Sequence, residues 1–92
     1  MLYPEVLGLF DNNISDAGMI SFAEAVRSGS LAALTRLELD RNQIGDAGLS
    51  AFSSAIAMGA LPKLEYLSVG GNPGNTAGVK EACESRDFLI CK

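Results

Sequence analysis

Alternating stretches and helical stretches take turns along this chain. Leu7 and Leu9, with Gly8 between them, have the period of two expected of a half-buried strand, and so do Leu37 and Leu39 around Glu38. A few residues later the period changes. Met19, Phe22, Ala25 and Val26 recur at helical spacing, as do Leu49, Phe52, Ala55 and Ile56. Ser15 or Asp16 is placed to cap the first helix, and an acid in the first turn suits the helix dipole. Gly29 and Gly59 stand where each helix should stop, and Pro62 follows soon after the second stop. The pattern predicts strand, turn, helix and return, three times.

The recurrence is one of sequence as well as of pattern. Leu7-Gly-Leu9-Phe-Asp-Asn12, Leu37-Glu-Leu39-Asp-Arg-Asn42 and Leu67-Ser-Val69-Gly-Gly-Asn72 are spaced by 30 residues. Aligning 4–33 with 34–63 gives eleven identities in 30 positions without a gap, among them Ile14, Asp16, Ala17, Gly18 and Phe22. The third unit keeps Leu64, Leu67, Asn72, Ala77 and Gly78 and then diverges, as a terminal repeat does. We therefore expect one domain over 1–92, with units 4–33, 34–63 and 64–92, the last a degenerate C-terminal cap. Crossovers of this length make successive strands parallel. Strands stack about 4.8 Å apart, whereas helix axes need about 8–10 Å. The stack must curve, with strands on the concave side and helices on the convex side. Gly18, Gly48 and Gly78 fall in the first helical turn, where a missing side chain lets the helix approach the strand layer.

Leu34-x-x-Leu37-x-Leu39-x-x-Asn42-x-Ile44 resembles the leucine-rich repeat pattern. The following Gly45-Asp46-Ala47-Gly48, with a full helix, resembles the ribonuclease-inhibitor-like subclass, which also occurs in NOD-like receptors and Ran GTPase-activating proteins. The chain departs from the pattern at Pro4 and Gly74, both in outer units. The resemblance implies an α/β fold, a right-handed leucine-rich repeat solenoid of three strand–helix units. It also implies that Asn12, Asn42 and Asn72 point inward, their amides serving backbone groups of the turns. Asn suits that task because it offers both donors and an acceptor.

The composition removes several functions. With 92 residues, 48% of them apolar, the chain can fold and is not disordered. It has no histidine, which removes the usual general base, the Ser-His and Cys-His pairs and the commonest zinc ligand. Seven basic against eleven acidic residues argue against nucleic acid as a partner. The start of the chain lacks a basic n-region, and no run approaches the roughly 20 apolar residues of a membrane span. The expectation is a cytoplasmic protein with no membrane partner. In that setting the Asn13-Ile14-Ser15 sequon carries little meaning.

Catalytic chemistry finds no candidate. The glycine-rich stretch from Gly70 to Lys80 matches neither GxxxxGK[ST] nor GxGxxG and reads as a relaxed turn. Glu38 and Asp40, two apart on one strand face, read as solvated surface rather than an acid–base pair. Cys83 falls on the inner side of the last helix, as a small apolar residue. Cys91 closes Phe88-Leu89-Ile90-Cys91, an expected apolar plug behind the charged Glu84, Arg86 and Asp87. No cofactor and no metal are expected.

Binding does have candidates. Side chains alternating with the strand leucines should line the concave face, among them Gly8, Asp11 and Gly70. The expected contact residues are Phe10, Arg36, Glu38, Asp40, Arg41, Tyr66 and Ser68, led by Tyr66, Arg36 and Arg41, because Tyr and Arg are enriched at interface hot spots. These residues point to a non-catalytic module that binds another protein. The first strand begins near Met1, so Leu2, Leu7 and Leu9 border an open edge. That edge suggests the C-terminal part of a longer array. Two rival readings are a Ran-type GTPase-activating module and a brick that self-associates through the edge.

Overall fold

The computed structural model describes residues 5–86 and 89–92. The elements run β1 (Glu5–Gly8), α1 (Asp16–Arg27), β2 (Leu34–Glu38), α2 (Asp46–Ala57), β3 (Tyr66–Ser68), α3 (Ala77–Glu84) and β4 (Ile90–Cys91). All four strands lie parallel in one sheet, in the order β1-β2-β3-β4. Each helix packs on the next, α1 on α2 and α2 on α3. Leu37 and Leu67 of neighbouring strands are level with one another, and Leu7 and Cys91 extend that row on either side.

The core runs between the sheet and the helix layer. Leu37, Leu39, Ile44 and Phe52 of the second coil are 0–1% exposed. Their counterparts in the first coil, Leu7, Leu9, Ile14 and Phe22, are only partly buried. The residue types are the same. Among the described residues the second coil is covered on both sides, and the first on one. Phe22 stacks on Phe52 with ring centroids 6.2 Å apart, continuing the core from one coil to the next.

Four details differ from the sequence reading. First, the sheet has four strands, because Ile90–Cys91 pairs with β3 instead of forming a plug. Second, neither Ser15 nor Asp16 caps α1 with its side chain. Asp16 instead serves the next coil: its Oδ1 accepts from the Gly45 amide at 2.7 Å and the Gly48 amide at 2.8 Å, at the start of α2. Asp46 repeats the move more weakly, accepting one bond from the Asn75 amide at 2.7 Å. Third, only one of the three helix glycines is needed for close approach, and the approach is between coils. A Cβ on Gly48 would lie 2.6 Å from Asp16 Oδ1 and 2.8 Å from Ile44 Cγ2, whereas one on Gly18 would meet nothing nearer than 3.6 Å. Fourth, the glycine-rich turn is not relaxed. A Cβ on Gly74 would fall 2.4 Å from the Gly45 carbonyl carbon, so this turn is pressed onto the coil before it. Leu2, Pro4, Asp87 and Phe88 lie outside the described residues.

Candidate functional site

The sheet face turned away from the helices carries the side chains that alternate with the buried leucines. The register sets them in rows across the strands. Val6, Arg36, Tyr66 and Ile90 form one row, and Gly8, Glu38 and Ser68 the next. Lys92 continues the second row, since its amide donates to the Leu67 carbonyl at 2.8 Å and its carbonyl accepts from Val69 at 3.0 Å. Phe10, Asp40 and Gly70 lie beyond them, where the backbone ladder runs past the strand ends from Leu9 to Glu38 and from Leu39 to Ser68.

The arginines on this face are held in place. Arg36 donates through Nε and Nη2 to Glu38 Oε2, at 3.2 and 3.0 Å, and its guanidinium lies 3.9 Å from the centre of the Tyr66 ring. Arg41 makes a two-bond fork with Asp11, at 2.7 and 3.0 Å, and stands 5.9 Å from the Phe10 ring centre. A third contact, 3.5 Å, joins Arg41 to Asp40. Asp40 also accepts from the Ser68 hydroxyl at 2.8 Å. The Arg41 hydrogen bond holds the Asp11 carboxyl below its ordinary range and raises Arg41 in return. Glu38 and Asp40, expected as solvated surface, are thus half-buried members of a side-chain network.

Between Phe10 and Tyr66 the face opens into a hollow of about 760 Å³, lined also by Glu38, Asp40, Arg41, Ser68 and Lys92. Gly70 and Gly71 form part of its wall, and a Cβ on Gly70 would meet nothing within 4 Å. Six of the seven expected contact residues line this one hollow, and Arg36 adjoins it through Tyr66. Lys92 and the exposed Ile90 belong to the same face and escaped the sequence reading. A signal was there: Leu89 and Cys91 alternate as strand residues do. Cys91 follows Leu67 by 24 residues rather than 30, so a search at the repeat period misses it.

The three asparagines lie on the turns below this face and do not behave alike. Asn42 is 2% exposed; its Nδ2 donates to Leu9 and Leu39 carbonyls at 2.8 and 3.0 Å, and its Oδ1 accepts from Ile14 at 3.1 Å. Asn72 reaches back in the same way, to the Leu39 carbonyl and to the Asn42 and Ile44 amides. Asn12 is exposed and, among the described residues, bonds only to carbonyls of its own turn, Leu9 and Phe10. Each of the other two ties its coil to the preceding one. Among the described residues the first coil has none before it.

Among the described residues there is no group of three or more metal-ligating side chains, and no helix is long and apolar enough to cross a membrane. A family model described as Leucine Rich repeat matches residues 5–23 and 32–53. Comparison with curated proteins and with solved structures finds no match in either.

Proposed function

We propose that this chain, a leucine-rich repeat protein by its family match and by its parallel strand–helix architecture, binds another protein on the open face of its sheet and catalyses nothing. Leucine-rich repeats are in general protein-interaction modules. The observation that carries the reading is the hollow between Phe10 and Tyr66, where Arg41 in its wall and Arg36 beside it are fixed by carboxylates and rest against aromatic rings. Side chains already held in one geometry lose little entropy when a partner docks, and Tyr and Arg are the residue types that dominate contact energy. The units 4–33, 34–63 and 64–92, the ribonuclease-inhibitor-like subclass and a cytoplasmic location form part of the same proposal. Affinity capture from native lysate, comparing the wild type with Arg36→Glu plus Tyr66→Ala, tests it. Both positions are surface-facing, so the variant should keep its melting temperature within a few degrees. Loss of the captured partner supports the reading, and capture of the same partners by both proteins refutes it.

A second reading rests on the first coil. Leu7, Leu9, Ile14 and Phe22 are less covered than their second-coil counterparts, and among the described residues β1 is an edge strand, with Val6 59% exposed. Such an edge suits self-association. Sedimentation at rising concentration decides it, since a monomer at tens of micromolar removes this reading while leaving the sheet face intact.

A further inference from the structure

The chain has two cysteines, and the fold sets one against the other. Cys83 lies on the inward side of α3 and is buried; Cys91 lies in β4 and is half-buried. Helix α3 packs on β4, and the two thiols line one small hollow with Lys80, Glu84 and Leu89. Burial first, and then the hydrogen bond and charge of Cys91, push the Cys83 thiol up to about 12, against a weaker opposing pull from Arg86. The two cysteines thus border the same hollow although they sit on different elements.

We propose that Cys83 and Cys91 form a reversible intramolecular disulfide that fastens strand β4 to helix α3. The oxidant is a small-molecule disulfide, RSSR. The Cys91 thiolate, on the more accessible side, attacks one sulfur of RSSR; a bond from Cys91 to SR forms, and RS⁻ leaves. Cys83 then gives its proton to solvent and its sulfur attacks that of Cys91. The Cys91–SR bond breaks and a second RS⁻ leaves. Two protein thiols lose two electrons and two protons, and RSSR takes them up as two RSH. Because Cys83 is held protonated, the second step is slow near neutrality and quickens as pH rises. The mixed disulfide on Cys91 is therefore a visible intermediate.

The consequence falls on the recognition face. Strand β4 is two residues long, held by the Ile90 amide donating to the Glu65 carbonyl at 2.9 Å and the Lys92 amide to Leu67 at 2.8 Å. It supplies Ile90 and Lys92 to that face, and so short a strand opens easily unless tied down. Oxidation ties it to α3. The inference does not depend on any partner, so it stands or falls separately from the binding proposal.

The test treats the folded wild-type protein with glutathione disulfide at mildly alkaline pH, then follows intact mass, peptide linkage and amide exchange. The expected result is a transient glutathione adduct on Cys91, replaced by a species two hydrogens lighter than the reduced chain. A Cys83–Cys91 peptide should be recovered, and exchange at Ile90 and Lys92 should slow severalfold until reductant is added. The Cys91→Ser variant, altered at the less buried position, should show neither adduct nor lighter species. Unreacted thiols, an adduct that never resolves, cross-linking between chains, or linkage only in denaturant would each overturn the proposal. A disulfide that leaves exchange unchanged would overturn the fastening of β4.

Discussion

The Asp16 carboxylate stands 2.8 Å from the amide of Gly48, a residue 32 positions away, and so caps the helix of the following coil rather than its own. The same oxygen accepts from Gly45, and a Cβ on Gly48 would sit 2.6 Å from it. A charged acceptor on otherwise unpaired first-turn amides is worth about 1–2 kcal/mol. Asp16→Ala is expected to lose that much in urea unfolding, and Asp46→Ala, which gives up one bond instead of two, less.

The glycines of the first turns should respond with opposite signs. At Gly48 an alanine methyl collides with Asp16, Ile44 and Met19, so Gly48→Ala should cost about 1–3 kcal/mol. At Gly18 the space is open and the backbone already helical, so Gly18→Ala should stabilise by up to about 1 kcal/mol. Melting curves of the two variants, run side by side, check the sign. A shared sign would contradict the packing difference between the coils.

Asn42 and Asn12 occupy the same place in the repeat but not in the energetics. Asn42→Ala leaves the Ile14 amide without its partner and takes one of two side-chain donors from each of the Leu9 and Leu39 carbonyls, which keep Asn12 and Asn72, and is expected to cost about 1–3 kcal/mol. Asn12→Ala, at an exposed turn, should stay within about 0.5 kcal/mol of wild type. Denaturant midpoints of the two variants make the comparison.

Arg86 closes the end of α2. Its guanidinium donates to the Ala60 carbonyl at 2.7 Å, to Leu61, and at 3.4 Å to Ile56. Burial lowers its pKa, yet it remains a cation beside the carbonyl end of a helix, where positive charge is favoured. Arg86→Met keeps most of the apolar stem and removes the donors. Thermal unfolding should show a loss of about 1–3 kcal/mol.

Cys83 makes stability depend on alkaline pH. Its thiol titrates near 9.0 when unfolded and is pushed up to about 12 in the fold. A raised folded value means the neutral form is the one the fold accepts. Its contribution is complete below about 9 and is lost as pH rises towards 12. Under reducing conditions, wild type should weaken across that window more steeply than Cys83→Ala does, in parallel urea titrations at stepped pH.

The strand and helix periods, the 30-residue phase and the face residues that alternate with the leucines of the first three strands were legible in the chain, because each shows as a regular spacing along it. Leu37 and Leu39 alternate, Phe52 and Ile56 fall at helical spacing, and the offset between Asn42 and Asn72 sets the coil length. What one coil does to the next was not legible. Asp16 looks like a cap for its own helix until α2 is brought beside it, and Gly18 and Gly48 look equivalent until one of them meets a carboxylate. The last strand was hidden for a related reason. Helix α3 has eight residues where α1 and α2 have twelve, so β4 arrives out of phase and brings Lys92 to the hollow unannounced. Periodicity is a local property and the sequence by itself determined it here. Capping between coils, the burial of identical side chains and the completion of the face depend on surfaces brought together from about 30 residues apart, and only the tertiary structure decided them.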